Sequence, residues 1–544
     1  MAGGLLNLIA VGDQNVIVNG NPSKTFFTST YKTHTNFGMQ KFRLDYEGLK
    51  APHLTEETKY TFKVKRYADL LMETYLSITL PDIYSPIYPP DKARVDEEWV
   101  PYEFKWIKDL GTQIIKEISI TVGGNNLYTV PGEFFIVNYD KNGYGKGGLY
   151  DTMTGNKKKY YNPSSFAGSY PNAIYTSDAE GSEPSIRGEQ LLIPINLWWT
   201  ISYKQAFPLV SLQYNEMFIN VTLRPIKEWF IIRDVLNSTY NYPYGAPNFN
   251  IAEHQFHRFL QSPPNIELNY TDKSTTWNSD IHIIANYCFV SEEERKEFAQ
   301  KEQQYLIKQV FQHTFNNIST SNKVWLQNSK GLVTDLTFVF QRNDVHLRNE
   351  WSNFTNWPYH YKPYRIKSAP RSIEGSNLPR SLGPGENPNY TPTGLYYTGN
   401  YKFENEKDIL VSLGILLDGH QREEIRNANV YRYLEGYKRF ANVPMDGVYG
   451  YSFALSTSIS NLQPTGSINL SMFNKVELEF TTHIPTIDVS ARYMVVCNPN
   501  TGEPIGYNKP AWNLYDYNYD LRIYEQRYNI LTFSSGNCSL MFAM

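Results

Sequence analysis

Glu477 and Glu479 have the residue types that glycoside hydrolysis uses as acid and base. They alternate with Val476, Leu478 and Phe480, so both lie on the polar face of one strand, where carboxylates are ordinarily solvated. Lys157-Lys158-Lys159-Tyr160-Tyr161 joins cations to rings, the combination that grips single-stranded nucleic acid. It stands in a loop of a chain with formal net charge −3, and reads as a solvated or inter-subunit loop. Asp516, Asn518 and Asp520 imitate the start of a calcium loop, but Leu521 replaces the required glycine and Arg527 the bidentate glutamate. His254-Gln-Phe-His257 lacks an acid between the imidazoles and a third ligand. Gly143-Tyr144-Gly145-Lys146-Gly147-Gly148 is glycine-rich without the spacing of a phosphate loop or its strand-to-helix setting. These residues therefore predict no catalytic site, cofactor or metal, and the weight moves to a structural role.

The elements that must position any site are strands. The 544 residues exceed what one core usually holds, so two or more domains are expected. Aromatic content of 15%, led by 43 Tyr, suits strands and contact surfaces, and 34 Gly with 31 Pro supply many corners. The near-neutral charge balance advertises no specific nucleic-acid partner. Cys288, Cys497 and Cys538 are far apart and odd in number, as expected of thiols in a reducing compartment. Leu5–Val11 is too short for a signal core and no stretch has the length of a membrane span, so a soluble cytosolic product is expected. The N-x-S/T triplets at Asn220, Asn237, Asn269, Asn317, Asn353, Asn389, Asn469 and Asn537 then read as chance matches.

Along the chain, residues 1–25 form an arm. Alternating runs at Tyr60–Val64, Met72–Leu80, Ile114–Val122 and Met217–Leu223 predict strands, the third ending in the hairpin turn Gly123-Gly124. Residues from about 138 to 187 lose the alternation and read as a long insertion. The boundary is expected in the Tyr- and Pro-rich stretch near 250, giving domains 26–250 and 251–544. The second part begins with a strand at Ile281–Tyr287 and a surface helix from Ser291 to Leu306, where Ser291 and Glu294 fit a capping box. A second insertion spans about 342 to 407. Ile409–Leu417 runs into the turn Asp418-Gly419, and Ile487–Val495 alternates again. After Pro464 and Gly466, Ile468, Leu470, Met472, Val476, Leu478 and Phe480 share one parity, which predicts one long amphipathic ribbon. Each half thus holds a strand into a hairpin, a Pro-marked corner into a ribbon, and an insertion. This internal repeat predicts two tandem β-sandwiches.

The stretch Gln463-Pro464-Thr465-Gly466-Ser467-Ile468-Asn469-Leu470-Ser471-Met472 resembles a late segment, Q-P-S-G-x-x-N-x-S-R, of the major capsid proteins of nucleocytoplasmic large DNA viruses. Met472 departs from the usual Arg. Gly20–Phe37, Ala68–Pro81, Ile115–Gly124, Phe207–Glu216, Glu293–Ile307, Val448–Leu455 and Tyr528–Gly536 resemble further family segments in the family's order. The resemblance implies an all-β double jelly roll of two eight-stranded sandwiches with long insertions and a few short helices. It implies no catalytic residue, and gives Gln463, Pro464, Gly466, Asn469 and Ser471 a structural role. It also implies a homotrimeric, pseudo-hexagonal capsomer tiling an icosahedral shell, in contact with neighbouring capsomers and with minor capsid and penton proteins. The insertions would face outward, and the N-terminal arm would lie toward an inner membrane. The rival expectation is a carbohydrate-binding or carbohydrate-active β-sandwich, which the Tyr and Trp content and long loops would suit.

Overall fold

The computed structural model describes residues 3–85, 87–88, 100–101, 103–143, 148–161, 174–177, 181–233, 244–262, 270–357, 395–397, 407–458, 461–485, 494–497, 504–508 and 517–542. Among the described residues, sixteen strands form the main paths of its two sandwiches, with short strands at Phe207–Pro208, Ile468–Asn469 and Asn537–Leu540 paired beside them. The first eight are β1 (Phe37–Asp45), β2 (Thr58–Val64), β3 (Leu70–Thr79), β4 (Ile115–Val122), β5 (Asn125–Pro131), β6 (Gln190–Pro194), β7 (Met217–Leu223) and β8 (His282–Val290). They form two antiparallel sheets in the orders β1-β8-β3-β6 and β2-β7-β4-β5. The second eight are β9 (Gln303–Ile318), β10 (Ser321–Trp325), β11 (Leu332–Arg342), β12 (Leu410–Leu417), β13 (His420–Asn427), β14 (Val448–Ser452), β15 (Val476–Thr482) and β16 (Tyr519–Ser534). Their sheets run β9-β16-β11-β14 and β10-β15-β12-β13, the same two orders advanced by eight.

Alternation explains the faces. Met217, Ile219, Val221 and Leu223 of β7 are all buried, as are Val476, Leu478 and Phe480 of β15. Each fully buried aliphatic side chain of this kind contributes about 1.5–3 kcal/mol. Both predicted hairpins form with left-handed backbone at both turn residues: Gly123 and Gly124 at φ 57° and 83°, Asp418 and Gly419 at φ 49° and 81°. That geometry matches the strand twist and favours Gly and Asp. The edge strand β13, H-Q-R-E-E-I-R-N, is exposed along nearly its whole length.

Several expectations differ from the structure. The strand at Ile281–Tyr287 belongs to the first sandwich: β8 lies between β1 and β3, so the first sandwich extends to Val290 and not to about 250. The expected linker packs inward, with Phe256 and Phe259 in the first core. A strand's sheet partner is fixed by long-range pairing, which chain order does not reveal. The helix after Ser291 is shorter than expected. The Ser291 hydroxyl accepts from the Glu294 amide at 3.4 Å, but α2 (Glu292–Gln300) stops there and Tyr305 and Leu306 are already in β9. The insertion beginning at 138 is partly helical, with helices at Leu149–Thr154 and Lys158–Tyr161; its start lies inside α1 (Gly132–Asn142). Residues 144–147, 162–173 and 178–180 of that insertion, 358–394 and 398–406 of the second, and most of the alternating run 487–495 lie outside the described residues.

Candidate functional site

The segment carrying the family-like motif is a corner and not one ribbon. Ile468 and Asn469 pair with Val333 and Leu332 of β11, while β15 belongs to the opposite sheet. A single 3-10 turn, Leu470–Met472, separates them, and Met472 leaves the inward set. Gln463 and Pro464 are exposed ahead of it, and Gly466 takes φ +121°, a value unfavourable for any residue with a Cβ. The Asn469 side chain accepts from the Ser471 amide at 3.1 Å and caps the turn. The Ser471 hydroxyl accepts from the Gly331 amide at 2.8 Å, and the Leu470 amide donates to the Gly331 carbonyl at 3.0 Å. Leu470 is buried while Met472 is 75% exposed. The first sandwich repeats this device: Phe207 and Pro208 pair with β3, a 3-10 turn covers Leu209–Ser211, and β7 follows in the other sheet.

The other candidate groups are held in structural contacts. Lys157, Lys159 and the Tyr160 hydroxyl converge on the Glu189 carboxylate. Partial burial would raise that acid, but the two ammoniums and the phenol outweigh it and hold Glu189 down at about 2. Glu477 bonds Lys475 at 2.7 Å and Lys323 at 3.2 Å, and the Lys475 contact first, then Lys323, keeps it below the usual carboxylate range. An acid held ionised in this way does not suit proton donation to a glycosidic oxygen. His254 Nδ1 accepts from the Asn248 amide at 3.1 Å, and His257 packs edge-on to Tyr270. Asp520 accepts from the Asn317 amide at 3.0 Å; Asp516 and Tyr144–Gly147 lie outside the described residues. Cys288 and Cys538 are buried. Among the described residues no group of three or more His, Cys, Asp or Glu could hold a metal, and no helix is long and apolar enough to cross a membrane.

A buried polar constellation lies where the two sandwiches meet. Helix α1 leaves β5 at Gly132, where a Cβ would stand 1.8 Å from the Ile115 carbonyl oxygen, so only glycine lets the helix start this close to β4. The helix then lays one face on the sheet β9-β16-β11-β14. Glu133 meets Arg522 through two contacts of 2.7 and 2.8 Å, and Arg522 also donates to Gln341 at 2.6 Å. Phe134 packs on Tyr524 at 5.4 Å between centroids. Lys141 Nζ reaches Asp335 Oδ2 at 2.5 Å and Thr337 Oγ1 at 2.9 Å, with both charged side chains fully buried. Gln309 donates to the Leu127 carbonyl at 3.0 Å and accepts from Asn529 at 2.8 Å. Asn349 donates to the carbonyls of Lys227 and Phe230 at 2.6 and 2.8 Å. Ile307, Val310, Val339, Leu531 and Phe533 join the first sandwich's apolar core. Buried charges need partners in fixed places, so this network specifies one relative orientation of the sandwiches more than it adds stability. Sequence reasoning missed Lys141, Asp335, Glu133 and Arg522. The one available signal was Pro131-Gly132-Glu133 ahead of an apolar run, which has the form of a helix start.

Two family models divide the chain between them. "Major capsid protein N-terminus" matches residues 25–290, ending at the last residue of β8, and "Large eukaryotic DNA virus major capsid protein" matches 294–539. The chain belongs to the major capsid proteins of large eukaryotic DNA viruses. The major capsid proteins of Phaeocystis pouchetii virus and of Paramecium bursaria Chlorella virus 1 are each 22% identical to it, with all of both chains covered. Among solved structures, the PBCV-1 virus capsid quasi-atomic model superposes with TM-score 0.59 at 18% identity, covering 96% of this chain and 100% of that one. The Faustovirus major capsid protein superposes with TM-score 0.60 at 12% identity, covering 98% and 96%. At these identities the likeness carries the fold, an all-β double jelly roll. A major capsid protein is a structural protein and not an enzyme. In this capsid protein the buried junction fixes the angle between the two sandwiches.

Proposed function

We propose that three copies of this capsid protein form a ring-shaped capsomer whose six sandwiches give a pseudo-hexagonal outline, and that such capsomers tile the icosahedral shell of a large DNA virus. The observation that carries the reading is the repeated sandwich. One chain holds two units of identical strand order, locked by a buried polar junction, so three chains supply six similar wall segments. The same reading assigns neighbouring capsomers, minor capsid proteins and penton proteins as partners, and assembly to the host cytoplasm. The N-terminal arm supports a contact below the shell with an inner membrane or a minor protein. Its short helices Gly3–Ile9 and Asp13–Asn19 bury no residue, and Leu8, Ile17 and Val18 are 74%, 84% and 81% exposed. The motif residues Gln463, Pro464, Gly466, Asn469 and Ser471 serve the fold in this reading, by turning the chain from one sheet to the other. Light scattering on the purified protein should return three times the 63.0 kDa chain mass, and negative-stain images should show a hexagonal outline. A persistent monomer across concentrations would count decisively against the reading.

A further inference from the structure

Helix α1 has a counterpart in the second sandwich. A helical stretch follows β13 over residues 428–438, the same eleven-residue length as 132–142 after β5; it comprises a π-turn, Val430–Leu434, and α3 (Glu435–Lys438). Counted from their first residues, Glu133, Phe134, Val137, Asn138 and Lys141 correspond to Asn429, Val430, Tyr433, Leu434 and Tyr437. In the first helix Glu133, Phe134 and Lys141 contact the second sandwich, and all five positions are covered, only Glu133 retaining partial exposure. In the second helix Asn429, Tyr433, Leu434 and Tyr437 are exposed, the last three at 49%, 56% and 81%, while Val430 packs in part on its own sandwich's core and stays partly exposed. The stripe that joins the two sandwiches therefore recurs on the second sandwich without an occupant among the described residues.

The surface that receives α1 also recurs. The strand pair β11–β16 slips register by one residue between Val333 and Asp335, and β3–β8 slips likewise between Leu71 and Thr74. Counted from this bulge, Glu73 stands where Asp335 stands, Ile284 where Tyr524 stands, and His282 where Arg522 stands. Helix α2 covers one end of this face, where Phe298 packs with Leu70, Met72, Cys288 and Val290. Glu73, Tyr75, Ile284 and Asn286 beside it stay partly exposed, next to Phe37 and Met39 of β1 at 63% and 56%.

We propose that the stripe Val430–Leu434–Tyr437 of one copy docks on the Glu73–Tyr75–Ile284 face of the next copy, repeating between chains the junction that α1 makes within one. This rests on the capsomer reading above and names its contact. Each exchanged pair is complementary in its own terms. Lys141 with Asp335 becomes Tyr437 with Glu73, a phenol donating to a carboxylate that Asn286 already contacts at 2.8 Å. Phe134 with Tyr524 becomes Val430 with Ile284, both apolar. Glu133 with Arg522 becomes Asn429 with His282, which contributes least because His282 is already buried by its own chain. The contact joins unlike faces, so successive copies follow head to tail and close into a ring when the rotation allows. Its exposed tyrosines have the composition of an interface centre.

The test is a charge exchange in the full chain, read by mass photometry. Tyr437→Glu should set two carboxylates together and convert trimers to monomers at least tenfold more readily. Adding Glu73→Lys to the same chain should restore the trimer. A Tyr437→Glu protein as trimeric as the parent, or a double variant that melts like the parent but stays monomeric, overturns the contact. As a second measurement, chains carrying only Val430→Cys and chains carrying only Ile284→Cys, co-expressed and oxidised, should yield a cross-linked dimer; its absence overturns the contact as well. A parent protein that never trimerises would instead sink the capsomer reading, so the two failures are distinguishable.

Discussion

Lys141 and Asp335, 194 positions apart in the chain, form an ion pair with no exposed side-chain surface on either partner. One charge comes from the helix after β5 and the other from the bulge of β11, so the contact exists only when both sandwiches are folded and docked. Removing one partner leaves the other charge buried alone. Lys141→Met should cost about 3–5 kcal/mol, whereas Lys141→Met with Asp335→Leu should recover most of that loss. Chemical denaturation of the three proteins checks this, and equal loss in single and double variants would refute it.

Asp140, one residue earlier, accepts from the Met445 amide. Burial pushes its carboxyl up to about 6, against the opposing pull of that amide and of Lys108. The folded state thus holds this proton more tightly than the unfolded chain does. Its contribution to stability falls as pH rises from about 4 to about 6. Asp140→Asn should flatten that segment of the stability curve and raise stability at pH 7.5 by on the order of 1–2 kcal/mol. Thermal melting across pH 4–7.5 gives the comparison.

Glu189 runs the other way. Its carboxyl is held at about 2 in the fold, so the stability it confers is complete above the ordinary carboxylate range and is lost as pH falls toward 2. Because about a third of the side chain is in solvent, Glu189→Gln should cost only about 1 kcal/mol at pH 7. The difference from the parent should vanish at the acid end of a pH series.

At the sheet corner, Ser471→Ala removes the acceptor for the Gly331 amide and Asn469→Ala removes the cap of the 3-10 turn. Each should cost about 1 kcal/mol. Met472→Arg, at a side chain already facing solvent, should leave stability within about 0.5 kcal/mol. A Met472→Arg protein that melts far from the parent would show that this side chain does more than face water.

Strands and hairpins were legible because their signals are local. Gly123-Gly124 and Asp418-Gly419 announce two-residue turns, and the inward sets of β7 and β15 follow from period two. The break inside 463–480 was not, since the residues on either side of the turn at Leu470–Met472 share a parity although they enter different sheets. The helix after Ser291 read too long because Lys301–Leu306 has helix-compatible residues, and only pairing with β16 draws them into a strand. The placement of β8 and the Lys141–Asp335 contact depend on partners far away in the chain, and a single sequence carries no trace of them. The Asn469 bond to the Ser471 amide stays within the motif, but Ser471 reaches back to Gly331 and the polar junction joins still more distant segments, and neither of those partners can be read from the motif itself.

The exposed edge strand β13 bears on what happens before assembly. A shell consumes many copies of one polypeptide, and any bare sheet margin at high concentration is a template for fibre growth. Along His420–Asn427 that margin carries Arg422, Glu423, Glu424 and Arg426, whose mixed charges would have to be stripped of water for another strand to add. The charges on the strand that ends the sandwich thus disfavour edge-to-edge strand addition between subunits.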